Sequence, residues 1–519
     1  MKISYIKIKN FRGYEKEIVV NFDNLTAIVG KNDVGKSTIL EALDIFFNNG
    51  KGIIKIDKND VNKKAVESGD FETIITVCFD DLPEKIIIDS SVETTLKDEY
   101  LLNSQEKLEI IKKYKNGGSH KVYLKAKHPN NPKCSDLLLK KNTELKKLMQ
   151  DEDISNADFN INSSMRKGLW QKYLNDLQLE DIEIDVTKED ARKIWDKLAI
   201  YLPVYSLFQS DRKNSDNDNE VQDPLKEAVK QIVNDESLQT SLAEIADIVR
   251  NKIEEVSSRT LQKIREMDPE IANTLNPIIP SSEDLKWQDV FKNVSISGDE
   301  NIPINKRGSG VRRLILLNFF RAEAERRAEN NENANVIYAI EEPETSQHTS
   351  NQHKLIKALK ELSNQDKTQI LLTTHSSNIV KQLDFENLRL LKNTNEDKKI
   401  INVSPKQLNY PSLNEVNYLA FEEITEEYHN ELYGHIELQG WLQEYRANKS
   451  KMSYHKQNRD GSPVNPDGPQ KICLTDYIRH QIHHPENNLN TRFTPNQLKE
   501  SIEQMRIYIS EKKKNKGES

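Results

Sequence analysis

Leu25-Thr26-Ala27-Ile28-Val29-Gly30-Lys31-Asn32-Asp33-Val34-Gly35-Lys36-Ser37-Thr38 is an apolar run that passes through two glycines into a lysine and two hydroxyls. Ile28 and Val29 read as the end of a buried strand, and Ile39, Leu40, Leu43, Phe46 and Phe47 recur at helical spacing directly afterwards. Gly30 and Gly35 let the backbone approach an anion with no Cβ in the way, so that successive loop amides point at phosphates. Lys36 then reaches the β- and γ-phosphates of a nucleotide and the Ser37 hydroxyl holds Mg²⁺, with Asn32, Asp33, Val34 and Thr38 completing the loop. Strand, loop and helix in this order predict a nucleotide-binding α/β fold rather than a chance turn.

A second apolar strand, Val336-Ile337-Tyr338-Ala339-Ile340, ends abruptly in Glu341-Glu342-Pro343-Glu344. Beside a phosphate loop, Glu341 can hold Mg²⁺ and Glu342 can orient or deprotonate the water that attacks the γ-phosphate. An acidic strand end without chemistry is the alternative. Gln369-Ile370-Leu371-Leu372-Thr373-Thr374-His375-Ser376-Ser377 delivers a histidine to the same sheet edge, where His375 senses the γ-phosphate or is simply structural. Arg12, in Asn10-Phe11-Arg12-Gly13, is either a surface arginine or a cation near the phosphates. Lys306-Arg307-Gly308-Ser309-Gly310-Val311 opens a further helix with bare amides suited to an anion. Since one cradle already exists, Ser309 and Gly310 are expected to meet the nucleotide of a second copy, which makes the chain an ATP-dependent dimer.

A length of 519 residues allows several domains. Hydrophobic residues make up 36% and the mean hydropathy is −0.75, with no run long enough to span a membrane. The alternating start Met1 to Ile8 reads as a strand and not a signal peptide, so a cytoplasmic location is expected. Cys78, Cys134 and Cys473 show no paired spacing and suit neither a disulfide framework nor a zinc site. A net charge of −8 does not advertise nucleic-acid binding over the whole surface.

These features predict the first part of an ATPase head over residues 1–90 and an inserted helical lobe over 91–200. The head resumes over 201–395, with Val204 to Phe208 as a strand and a long amphipathic helix near 238–266 marked by Leu242, Ile245, Val249, Ile253, Val256 and Leu261. A helical domain over 396–519 follows. In it, Ser412 and Thr494 read as helix caps, Thr475 as the cap of a helix to His484, and Asn448 to Gln470 as a polar loop.

Together, the Asn-Phe-Arg-Gly turn, the loop Gly30 to Thr38, the Ser309-Gly310 pair, the Glu-Glu-Pro-Glu acids and the Thr-Thr-His-Ser-Ser strand resemble the ABC-type ATPases of the SMC and OLD groups. The resemblance implies an ABC/SMC-like P-loop head, a phosphate contact for Arg12 and a glutamine near Mg²⁺ for Gln209. The first acid is commonly aspartate in that family and is Glu341 here. OLD-type nucleases append a Toprim domain with an Asp-x-Asp, a pattern not found between Asn378 and Ser519, so nuclease activity is expected from a partner.

The blocks Tyr428 to Gly434 and Tyr477 to Asn487 further resemble the tail of PtuA-type ATPases from Septu and retron antiphage systems. That resemblance implies a PtuB-like HNH nuclease partner and, in the retron case, a reverse transcriptase with its RNA–DNA product. Two rival functions stay open. Arg479 and His484 match the arginine, four-residue gap and histidine of HEPN ribonucleases, and the core motifs fit a DNA-repair ATPase equally well. His480 and His484 also share a helical face that either binds a metal or is structural.

Overall fold

The computed structural model describes residues 1–49, 53–88, 92–155, 157–188, 191–209, scattered positions within 247–262, 335–345, 347–393, 398–403, 412–458, 460–465 and 468–515. The chain divides into two units, Met1–Phe208 with Arg327–Ser519, and Gln209–Arg326.

In the first unit the chain opens with β1 (Lys2–Lys9) and β2 (Ile18–Asn21), then β3 (Leu25–Val29), α1 (Lys36–Asn48), α2 (Lys63–Glu67) and β4 (Glu72–Asp80). There follow β5 (Leu108–Lys115), β6 (His120–Pro129), α3 (Asn142–Asp151), α4 (Asn162–Lys172), β7 (Leu179–Asp185), α5 (Ala191–Leu198) and β8 (Val204–Phe208). Six of these strands form an antiparallel sheet in the order β2-β1-β4-β5-β6-β7. The insertion is therefore not the helical lobe that its lysines suggested. In β6, Val122, Leu124 and Ala126 are buried while Lys121, Lys125 and Lys127 are not. Lysine on one face and small apolar residues on the other is a strand's period of two, and Gly117 at φ +63° turns β5 into β6.

After the second unit come β9 (Val336–Glu341), α6 (Thr349–Ser363), β10 (Thr368–Thr374), α7 (Ser377–Val380), β11 (Leu388–Asn393) and β12 (Lys398–Asn402). They complete a second sheet in the order β12-β11-β3-β10-β9-β8, parallel except for the β11–β12 pair. Every residue of β3, β9 and β10 is buried, as befits parallel strands covered on both faces. The head sheet thus runs to Asn402, past the boundary at 395 that the sequence suggested.

Helix α1 joins the two sheets. Ile39, Leu40, Ala42, Leu43, Ile45 and Phe46 are all fully buried, so the helix is apolar nearly all round and lies inside the core. Each such large side chain contributes roughly 1.5–3 kcal/mol by leaving water. From the antiparallel sheet, Lys112 Nζ donates to the Phe46 carbonyl at 2.7 Å. From the parallel sheet, the Tyr205 hydroxyl donates to the Leu40 carbonyl at 2.6 Å.

The tail holds α8 (Leu413–Phe421), α9 (Glu426–Leu438), α10 (Leu442–Ala447), the hairpin β13 (Lys451–Tyr454) and β14 (Gln470–Cys473), α11 (Leu474–His483) and α12 (Pro495–Asn515). Among the described residues its regular elements are helices apart from the hairpin, whose strands lie at the two ends of the expected polar loop. Ser412 accepts from the Glu415 amide and Thr494 from the Gln497 amide, as capping residues do. Thr475 is instead buried inside α11, where its hydroxyl meets Tyr445 and Ser501, and the helix starts after Cys473. Tyr428, Leu432, Ile436, Ile478, Ile502 and Met505 form a small core between α9, α11 and α12.

Of the second unit, Gln209 and scattered helical positions between 247 and 262 are described. Val256, expected on the buried stripe of the long helix, is 63% exposed, and most of the stripe lies outside the described residues. All three cysteines are free and buried.

Candidate functional site

The loop between β3 and α1 is shaped by what presses on it. A Cβ on Gly30 would meet the Leu391 carbonyl oxygen at 2.6 Å, so β11 leaves room for glycine alone. Asp33 at φ 59° and Gly35 at φ 106° turn the backbone through the left-handed region. Val34 is buried beneath the loop, while Asn32 and Asp33 are exposed and Ser37 and Thr38 half-buried. The first turn of α1 has no acidic residue, so its positive end is uncompensated.

Lys36 is 4% exposed and folds back so that Nζ donates to the carbonyls of Gly30 and Lys31, both at 2.9 Å. Burial lowers its pKa, opposed by Glu342, Glu344, Asp33 and Glu341. Glu342 Oε1 lies 3.8 Å from Lys36 Nζ. The parallel register explains the meeting: Val29 is level with Thr374, and Thr373 with Glu341. Hence the loop, His375 and the acids leave one sheet edge together.

Glu342 has φ 40°, a conformation that costs an L-residue about 1–2 kcal/mol, and its amide is held by the Thr373 carbonyl at 3.1 Å. His375 Nδ1 lies 3.1 Å from Glu342 Oε1 and 3.5 Å from Glu344 Oε1. Glu341 is buried at the end of β9 and acts electrostatically on Lys36. Lys36 and His375, both expected to do chemistry, therefore approach the same carboxylate, that of Glu342.

Arg12, in the turn between β1 and β2, pairs with two acids. Its Nε donates to Asp60 Oδ1 at 2.7 Å and its Nη1 to Glu41, so two carboxylates hold the guanidinium and tie the turn to α1. Gln209 opens the second unit. Ser309 and Gly310 lie outside the described residues. In the tail, Arg479 stacks 4.0 Å over the Tyr433 ring and pairs with Glu437 at 3.7 Å. His484, at the C-terminal cap of α11, meets Glu486 at 3.2 Å. His480 stacks on Tyr454 at 5.1 Å. Each of the three thus has a separate partner, and among the described residues no His, Cys, Asp and Glu cluster could hold a metal.

Sequence reasoning missed three residues at this edge. Glu344 is 5% exposed, and its Oε1 accepts from Thr374 Oγ1 at 2.6 Å and from the His375 amide at 3.0 Å. Burial raises its pKa, opposed by those hydrogen bonds. Tyr14, two residues past Arg12, donates its hydroxyl to the Gly35 carbonyl at 2.9 Å. Lys398 Nζ packs against Gly13 and Gly35 and sits 4.7 Å from the centre of the Tyr14 ring. Glu344 stood in the acidic run, whereas nothing local marks Lys398.

The residues present fit a nucleotide with its Mg²⁺. The loop turns through Gly30 and Gly35 with no acid in the first turn of the helix that follows, Lys36 is a buried cation held by carbonyls alone at hydrogen-bond distance, and Glu341 is a buried hard oxygen donor at the end of β9. A glycine loop opening a buried helix, faced by acids and a histidine from adjacent parallel strands, defines a P-loop nucleotide hydrolase. Residues 1–380 match the AAA ATPase domain family, to which this chain belongs.

Two relatives bear the name Endonuclease GajA. One, from Bacillus cereus (strain HuB5-5), is 26% identical over 442 residues and covers 78% of this chain and 60% of its own length. The other, from Bacillus cereus (strain VD045), is 26% identical over 400 residues, with 76% and 58% covered. The chain thus spans about three-fifths of the length of these curated relatives. Among solved structures, the SMC head bound to the C-winged helix domain of ScpA gives a TM-score of 0.35 at 15% identity, over 78% of this chain and 98% of that one. The SMC head domain from Thermotoga maritima gives 0.32 at 13%, over 78% and 100%. The fold assignment rests on the sheet order and the family match. No helix among the described residues is long and apolar enough to cross a membrane.

Proposed function

We propose that this chain is the ATP-binding and ATP-hydrolysing subunit of a cytoplasmic antiphage defence complex and that it controls a partner HNH nuclease of the PtuB type, alone or beside a retron reverse transcriptase. The observation that carries the ATPase core of this reading is Glu342, within 3.8 Å of Lys36 and 3.1 Å of His375. Lys36 leaves its two backbone carbonyls for the phosphates, Glu342 takes the proton of the attacking water, and His375 meets the γ-phosphate. Ser37 and Glu341 would hold Mg²⁺, joined by Gln209 as the family resemblance implies, and the ion would supply neutralisation of the charge on the phosphoryl group. Ser309 and Gly310 of a second copy close the site, so nucleotide binding and dimerisation are one event.

Control of a partner nuclease is supported by the resemblance of the tail to PtuA-type ATPases, whereas the similarity to relatives named Endonuclease GajA agrees only with a role in nucleic-acid cleavage. The test is copurification from the native operon, followed by DNA cleavage assays with ATP present and after its depletion. A small nuclease in the complex whose cleavage changes with nucleotide is the expected result. Cleavage indifferent to ATP removes the switch, and cleavage by the chain on its own replaces the partner reading with a nuclease in this polypeptide. RNA cleavage lost on Arg479→Ala or His484→Ala would favour the ribonuclease instead.

A further inference from the structure

The turn that carries His375 is fixed by one carboxylate from the neighbouring strand. The imidazole itself is loosely held: Nδ1 lies near Glu342 and Glu344, but neither contact has hydrogen-bond geometry. What anchors this residue is its backbone, whose amide donates to Glu344 Oε1 at 3.0 Å. The same oxygen accepts from Thr374 Oγ1 at 2.6 Å, and Thr374 Oγ1 in turn accepts from the Ser376 amide at 3.0 Å. One buried oxygen therefore sets the path of the chain from Thr374 to Ser376.

Glu344 is also tied to the other half of the hydrolytic pair, for it stands two residues after Glu342 in the turn that follows β9, with the rigid Pro343 between them. Its second oxygen is buried and has no hydrogen-bond partner among the described residues. Leaving that oxygen unpaired costs free energy, which the two hydrogen bonds to Oε1 oppose.

We propose that Glu344 is a positioning residue for ATP hydrolysis, acting through His375 by locking the Thr374–Ser376 turn at a fixed distance from Glu342. The inference rests on the ATPase reading above and deepens it. Displacing a reacting group by about an ångström is enough to cost on the order of a hundredfold in rate, while leaving the phosphate cradle on α1 untouched.

The test is a double-mutant cycle on the full chain, in whichever complex hydrolyses ATP, with nucleotide affinity and melting temperature measured alongside turnover. Glu344→Ala is expected to lower kcat at least about tenfold with the Kd for ATP within about threefold of wild type. Glu344→Gln, whose amide oxygen can accept the same two donors, should recover most of that loss. Glu344→Ala combined with His375→Ala should be no more than about threefold slower than His375→Ala alone, since both changes act at one point. Glu344→Asp, which withdraws the carboxylate by one methylene, enters the same cycle should the alanine variant melt below the assay temperature. Losses that multiply in the double variant, or turnover and ATP affinity falling together, overturn the role. A glutamine variant as slow as alanine while melting like wild type also overturns it. A wild-type complex that binds ATP but turns none over brings down the ATPase reading with it, whereas an active wild type with an additive cycle removes the positioning role alone.

Discussion

Lys112 is 1% exposed, donates to the Phe46 carbonyl at 2.7 Å and to Asn49 Oδ1 at 2.5 Å, and lies 4.7 Å from the centre of the Phe46 ring. It caps the C-terminal end of the helix that begins at the phosphate loop, a favourable place for a cation. Burial nevertheless pulls its pKa from 10.5 to about 7. Between those values the unfolded chain binds the extra proton, so stability contributed at this residue rises with pH from 7 to 10.5 and is flat outside that window. Urea unfolding at pH 7 and pH 9 should show the wild type gaining on Lys112→Met, with a slope approaching about 1.4 kcal/mol per pH unit. In the site, Glu342→Gln should keep ATP affinity and lower turnover by roughly a hundredfold or more, read by coupled phosphate release. The loop, the two acids and the histidine were legible because each ends or follows a short apolar run. The partners of Arg12 were not, since Glu41 and Asp60 stand far from it in the chain and belong to other elements. Neither was Lys398, which reaches Gly35 only because β12 pairs back along β11.

Among the elements, α8 stands between the tail and the head. Its buried Glu415 accepts from Tyr428 of α9 and Arg506 of α12. From the middle of the helix Asn417 Nδ2 donates to the Ser377 carbonyl at 3.4 Å, and just beyond the helix Glu423 accepts from the Ser377 hydroxyl at 3.1 Å. Glu422, at its cap, pairs with Lys31 of the phosphate loop at 2.6 Å. Arg506→Ala leaves Glu415 buried and short of its cation, so it should destabilise the protein by about 3 kcal/mol in chemical unfolding. Arg506→Ala with Glu415→Gln should recover part of that loss. The helix itself was readable from its Ser412 cap, because capping is a local matter. The strands of the insertion were not read, since their lysine content suggested helix and only the alternation with Val122, Leu124 and Ala126 betrays the sheet.

Across the whole molecule, head and tail each keep a histidine neutral. His128 packs by Trp170 in the large core, and His429 is sealed in the tail, where Nε2 meets Ser501 Oγ at 3.0 Å. Burial lowers both from 6.5 to about 4. Folded pKa values below the unfolded ones mean full stability above pH 6.5, lost as pH falls toward 4. Urea midpoints should therefore drop over that range, and less steeply in His429→Asn, whose amide can still reach Ser501. The two-sheet layout was only half visible in the sequence, which marks strand ends well but does not say which distant strand lies beside which. That pairing has a consequence for how the protein is made. Both neighbours of β3 lie more than 300 residues downstream of it. At ordinary translation speeds of roughly 5–20 residues per second, the nascent Leu25–Val29 segment waits on the order of 15–70 s with both edges bare. A ribosome-bound chaperone that shields short apolar segments is thus expected to decide the yield of this protein, and slowing translation past Val336 should send more of it into aggregates.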